Sequence, residues 1–103
     1  MSEEPAARLR PGDSELPTTI VLCGELDAVR ADGVKAVVDE ALEVRPEVLR
    51  FEMANLSFMD SSGLAVLVHA ANNVDRVILE RPSDLVCRVI EVTGLAELFE
   101  VER

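Results

Sequence analysis

The apolar pattern of this chain changes period several times, and the order of those changes constrains the fold more than any single motif. Thr18 to Leu22 is a β-branched run closed by Gly24, the pattern of a buried strand. Val34, Val37, Val38, Ala41 and Leu42 then recur at i, i+3, i+4, i+7 and i+8. They form one helix face, with Lys35, Asp39, Glu40 and Glu43 pointing elsewhere. Pro46 cannot continue that helix. From Val48 to Met53 the period returns to two, with Leu49, Phe51 and Met53 on one face and Arg50 and Glu52 on the other. Leu64, Leu67, Val68 and Ala71 share a second helix face, and "NNVD" breaks it. "RVILE" is a third strand closed by Pro82. Ser83 caps a third helix through Leu85, Val89 and Val92, which stops at Gly94. Each helical crossover returns the chain in the same direction, so the alternation predicts an α/β layer with parallel strand pairs.

The remaining segments are less regular. Residues 1–17 are polar and carry Pro5, Pro11 and Gly12. "ARLR" is a candidate edge strand there and "PGDSEL" the turn after it. Residues 18–103 form the expected domain, closed by an apolar tail from Leu95 to Val101. A length of 103 residues suits one compact domain. The chain is 49% hydrophobic but has only three Phe and neither Trp nor Tyr, so its core must be aliphatic. Twenty acidic residues against ten basic ones give a net charge of −10. That balance argues against nucleic acid, whose phosphates require Lys and Arg, and against anionic membrane surfaces. It favours a basic protein partner. No run reaches the roughly 20 apolar residues of a membrane helix, and "MSEEPAARLRPGD" lacks the apolar centre of a signal peptide. Cys23 and Cys87 lie in apolar segments and read as two buried thiols, so the expected compartment is the cytoplasm.

In parallel sheets, function gathers where strands end and helices begin. Two such junctions carry polar clusters: "GELD", Gly24 to Asp27, and "MDSSG", Met59 to Gly63. The second admits three uses. Asp60 or Ser61 can cap the helix by accepting an orphan N–H, worth about 1 kcal/mol. A cap alone leaves the neighbouring serine unexplained. It also leaves Gly63, which costs about 1 kcal/mol against Ala in a helix and signals a close approach to the backbone. A nucleophile needs G-x-S-x-G with a His and an acid nearby. Here the leading glycine is missing, and His69, eight residues beyond Ser61, reads as a half-exposed helix residue. One His without a Cys or carboxylate cluster makes no metal site, and neither a P-loop nor GxGxxG is present. Catalysis and bound cofactors are therefore not expected. The third use is a phosphate acceptor. A helix N-terminus holds anions, and phosphorylation adds about −1.5 to −2 charges. Beside Asp60 and Asp27, that charge would repel a docked partner without breaking the fold.

"GELD", the helix after it, "LSFMDSSGL" and the closing "VTGLAELFEV" resemble the STAS domain of bacterial anti-sigma-factor antagonists, from about Thr18 to Val101. The resemblance implies a small mixed, mostly parallel sheet with helices packed mainly on one face. It also implies a partner: an anti-sigma factor that is a serine kinase of the histidine-kinase-like ATPase fold. Unphosphorylated antagonist binds this kinase and releases the sigma factor, phosphorylation ends the interaction, and a phosphoprotein phosphatase resets it. The family's phosphoacceptor maps onto Ser61, with Asp60, Ser62 and Gly63 as its neighbours and Asp27 as a supporting acidic residue. An alternative keeps the fold and makes the chain an unphosphorylated accessory or scaffold subunit of a transporter or signalling complex. One departure stands at the site: Arg30 occupies a position where the family often has Thr, which adds a cation there.

Overall fold

The computed structural model describes residues 5–103. The strands are β1 (Ala7–Arg10), β2 (Thr18–Leu26), β3 (Val48–Met59), β4 (Arg76–Glu80) and β5 (Glu100–Glu102). The helices are α1 (Ala28–Leu42), α2 (Ser61–Ala71) and α3 (Asp84–Val92), with a 3-10 turn over Ala96–Leu98. The strands make one mixed sheet in the order β1-β2-β3-β4-β5. β1 runs antiparallel to β2 at the edge, and every other pair is parallel. The expected mixed, mostly parallel sheet is therefore present, and "ARLR" is its edge strand. No helix among the described residues is long and apolar enough to cross a membrane.

Alternation sorts the two faces of the sheet. Ile20, Leu22, Leu49, Phe51, Met53, Val77 and Leu79 are buried and meet the apolar faces of the helices. α1 contributes Val34, Val38 and Ala41; α2 contributes Leu64, Val66, Leu67 and Ala70; α3 contributes Val86 and Ile90. The opposite face is an ionic layer. Arg10 and Arg81 pair with Glu52 at 2.6 and 3.1 Å, Arg50 pairs with Glu80 and Glu102, and Arg76 donates two bonds of 2.7 Å to Glu100. Four arginines and four glutamates pair there, with Arg8 of β1 on the same face, so the excess negative charge belongs to the rest of the surface.

Several elements depart from the sequence reading. β2 runs through Gly24 to Leu26, and β3 runs to Met59 rather than stopping at Met53. Two register shifts explain why: Val21 pairs with Glu52 but Cys23 with Asn55, and Gly24 pairs with Leu56 but Glu25 with Phe58. Each shift places one extra residue in β3, a β-bulge. Buried residues therefore fall at Met53, Leu56 and Met59, three apart, and the period-2 signal disappears. Gly24 lies between the bulges at φ +77, a backbone state that glycine adopts without steric cost. Ser57 donates its hydroxyl to the Gly24 carbonyl across the pair, at 3.0 Å.

α3 is capped as expected, with Ser83 Oγ accepting from the Val86 N–H at 3.2 Å. Its buried residues, however, are Val86, Cys87 and Ile90, while Leu85 and Val92 are exposed. The helix is apolar over more than half its circumference, so periodicity alone did not choose the face. Cys87 is buried as read. Cys23 is only half-buried, because it lies on the side of β2 away from the helices, where its thiol donates to the Pro5 carbonyl. The apolar tail resolves into the 3-10 turn, buried Phe99 and the short strand β5.

β5 pairs only with β4, so its ion pair should register in stability. The Arg76 guanidinium holds the Glu100 carboxyl below its ordinary value by hydrogen bonding and charge. A lowered folded pKa stabilises above the unfolded value, and that contribution fades as pH falls through the folded one. Glu100→Gln should thus lower the urea midpoint at neutral pH, and the gap to wild type should close in acid. Equal midpoints at neutral pH, or a gap that widens in acid, would contradict this linkage.

Candidate functional site

β2 and β3 are parallel and end in register, Leu26 opposite Met59. The residue after each end is an aspartate, and each aspartate caps a helix. Asp27 Oδ1 accepts from the Arg30 N–H at 3.1 Å and opens α1. Asp60 Oδ1 accepts from the Ser62 and Gly63 N–H groups at 2.9 and 3.2 Å and opens α2. The Asp60 N–H donates in turn to the Leu26 carbonyl at 3.2 Å. Two helix N-termini therefore stand side by side at one end of the sheet, each with its positive dipole end toward the same region. Of the two capping candidates at this junction, the structure uses Asp60. Ser61 is left as the first helical residue, exposed to solvent, with Ser62 half-buried behind it.

Gly63 explains how tightly the junction is built. A Cβ there would sit 2.6 Å from Leu26 Cγ, 2.7 Å from the Leu26 carbonyl oxygen and 2.7 Å from Met59 Cγ. The close approach implied by this glycine comes from the strand ends of the same molecule. Gly63 is accordingly buried, and it holds the first turn of α2 against β2 and β3. Leu64, next to it, is 5% exposed and anchors that turn in the core.

The charged groups around the serine are unevenly arranged. Asp27 and Asp60 are half-buried by their capping roles. Arg30 does bring a cation to the junction, its Nη1 lying 3.1 Å from Asp27 Oδ2. His69 does not reach Ser61: eight residues along a helix is about 12 Å. It is half-exposed, and its Nε2 lies 2.8 Å from Asp39 Oδ1, tying α2 to α1. No His, Cys, Asp and Glu grouping among the described residues has the arrangement of a metal site. A groove of about 570 Å³ lies at the other end of the sheet, beside Thr18 and Val48. Ser61 thus belongs to an open surface.

Two residues at this surface escaped the sequence reading. Phe58 is 40% exposed and Val29 is 85% exposed, and they flank the junction from β3 and α1. Phe58 lies past Met53, where the sequence reading ended the strand, so the alternation was not extended to it. Val29 falls five residues before the first member of the apolar helix pattern, and nothing in that pattern marked it as uncovered.

The junction geometry makes a stability test direct. Gly63→Ala should destabilise the fold by about 1–3 kcal/mol, because one of the atoms it meets is backbone and cannot step aside. Asp60→Ala should cost about 0.5–2 kcal/mol through the lost cap. Urea denaturation measures both, and a Gly63→Ala variant as stable as wild type would refute the packing account.

Comparison with known proteins follows this geometry closely. A family model described as the STAS domain matches residues 5–103. The anti-sigma-B factor antagonist of Listeria monocytogenes serovar 1/2a is 37% identical over 91 residues, covering 81% of this chain and 76% of that protein. The structure of the anti-sigma factor antagonist SpoIIAA in its unphosphorylated form matches with a TM-score of 0.76 at 26% identity, over 95% of this chain and 89% of that one. The phosphorylated form of the Bacillus cell fate determinant SpoIIAA matches with a TM-score of 0.72, again at 26% identity, over 95% and 92%. Matched along nearly its whole length in sequence and in fold, the chain belongs to the STAS domain family.

Proposed function

We propose that this chain is an anti-sigma-factor antagonist that binds an anti-sigma factor while Ser61 is unmodified and lets go when Ser61 is phosphorylated. The observation that carries this reading is the exposed Ser61 hydroxyl, set at the first position of a helix whose cap is already supplied by Asp60. The hydroxyl is not needed to hold the fold, so it can be modified without loss of structure. A relative at 37% identity is named an anti-sigma-B factor antagonist, and SpoIIAA has been solved in unphosphorylated and phosphorylated forms.

The reaction belongs to the partner, and this chain is its substrate. The Ser61 oxygen attacks the γ-phosphorus of ATP, its proton passes to a base of the kinase, and ADP leaves with the bond to the γ-phosphoryl broken. The phosphate then sits over the α2 N-terminus, where backbone dipoles offset part of its charge. Asp60 and Asp27 are already there, so the surface becomes strongly anionic and a partner tolerant of a neutral hydroxyl is repelled. A phosphoprotein phosphatase restores the hydroxyl by transferring the phosphoryl group to water. Asp27, Asp60, Ser62 and Gly63 act as support: the aspartates orient the two helix starts, and Ser62 and Gly63 donate their N–H groups to Asp60.

Ser61→Asp should weaken binding to the anti-sigma factor by at least tenfold, with a melting temperature close to wild type. Ser61→Ala should bind normally and take up no phosphate from ATP and the kinase. Titration calorimetry reads the first outcome and intact-mass spectrometry the second. Unchanged affinity in Ser61→Asp would dismiss the electrostatic gate. Normal phosphate uptake in Ser61→Ala would move the acceptor to another residue, with Ser62 tested next.

A further inference from the structure

An apolar groove of about 290 Å³ runs along the outer side of α1, between that helix and the start of β1. Ala6, Ala7, Val29, Gly33, Val34 and Val37 line it. Gly33 is the informative member. A glycine inside a helix is unfavourable against Ala, and such a position needs a packing or functional reason. Among the described residues nothing explains it: a Cβ at Gly33 would meet nothing within 4 Å, and Gly33 lines the groove. Four residues earlier, Val29 stands 85% exposed at the groove's upper end.

The groove is continuous with the serine site. Arg30 lines it and also bonds to Asp27, and Asp27 follows Leu26, whose carbonyl accepts from the Asp60 N–H. The other residues that line it are uncharged, so the groove offers an apolar surface beside the Arg30–Asp27 pair. We propose that this groove is the second half of the partner's footprint. It receives an apolar side chain of the anti-sigma factor, and Gly33 keeps space open for it. This rests on the proposed function and adds a contact that phosphorylation of Ser61 does not touch. The groove supplies binding, and the serine supplies its control.

The groove predicts opposite effects on stability and on binding, a combination that a structural role would not produce. Gly33→Ala and Gly33→Gln remove a helix-interior glycine, so both should raise the melting temperature by a few degrees. Both fill the groove, so affinity for the anti-sigma factor should fall, about threefold for Ala and tenfold or more for Gln. Val29→Ser should also weaken binding several-fold without lowering the melting temperature. The probes are the purified anti-sigma factors of the source organism, titrated one by one against the full chain. If the wild-type chain binds one of them and Ser61→Asp abolishes that binding, while Gly33→Gln binds within twofold of wild type, the groove proposal is overturned and the proposed function stands. If the wild-type chain binds none of them, the proposed function fails and takes this occupant with it.

Discussion

The structure depends on one contact: the first turn of α2 resting on the ends of β2 and β3 through the missing side chain of Gly63. Parallel strands deliver their last residues to the same place, and Leu26 opposite Met59 sets a common floor. With only hydrogen at position 63, α2 descends onto that floor, and the Asp60 N–H reaches the Leu26 carbonyl. A larger residue would lift the helix and tilt the surface that carries Ser61. The serine is therefore placed by packing beneath it, and its own side chain is left uncommitted.

The bulges in β3 serve the same end. Without them, strict alternation could not turn both Leu56 and Met59 inward from the Leu49–Met53 phase. Leu56 would face outward, and the strand would lose a buried residue between Met53 and Met59. Two inserted residues reset the phase twice, and Gly24 on the partner strand absorbs the distortion at positive φ. The second shift restores the original phase, so Met59 faces the core and Phe58 faces solvent beside the junction.

Charge is distributed with comparable consequence. The face of the sheet without helices holds four arginines paired with four glutamates, and Arg8 lies on the same face, so no negative excess resides there. The excess negative charge lies elsewhere, including at Asp27, Asp60, Asp32 and Glu40 around α1 and α2. A phosphate added at Ser61 enters a region that is already anionic, and this makes a single modification sufficient to change which partners the surface accepts.

Residue order by itself determined the α/β alternation, the ends of the third strand at Arg76 and Glu80, the Ser83 cap and the polar junctions at Asp27 and Asp60. All of these rest on local chemistry: side-chain period, proline geometry and a hydroxyl or carboxylate within reach of its neighbours' N–H groups. Tertiary structure alone decided the length of β3, the existence of β5, which face of α3 is buried, why Gly63 must be glycine and that Gly33 opens onto a groove. β5 has three residues, two of them acidic, and is a strand only because β4 and Arg76 lie beside it. Each of these features is a relation between segments far apart in the chain, and a local pattern carries no term for what will be packed against it.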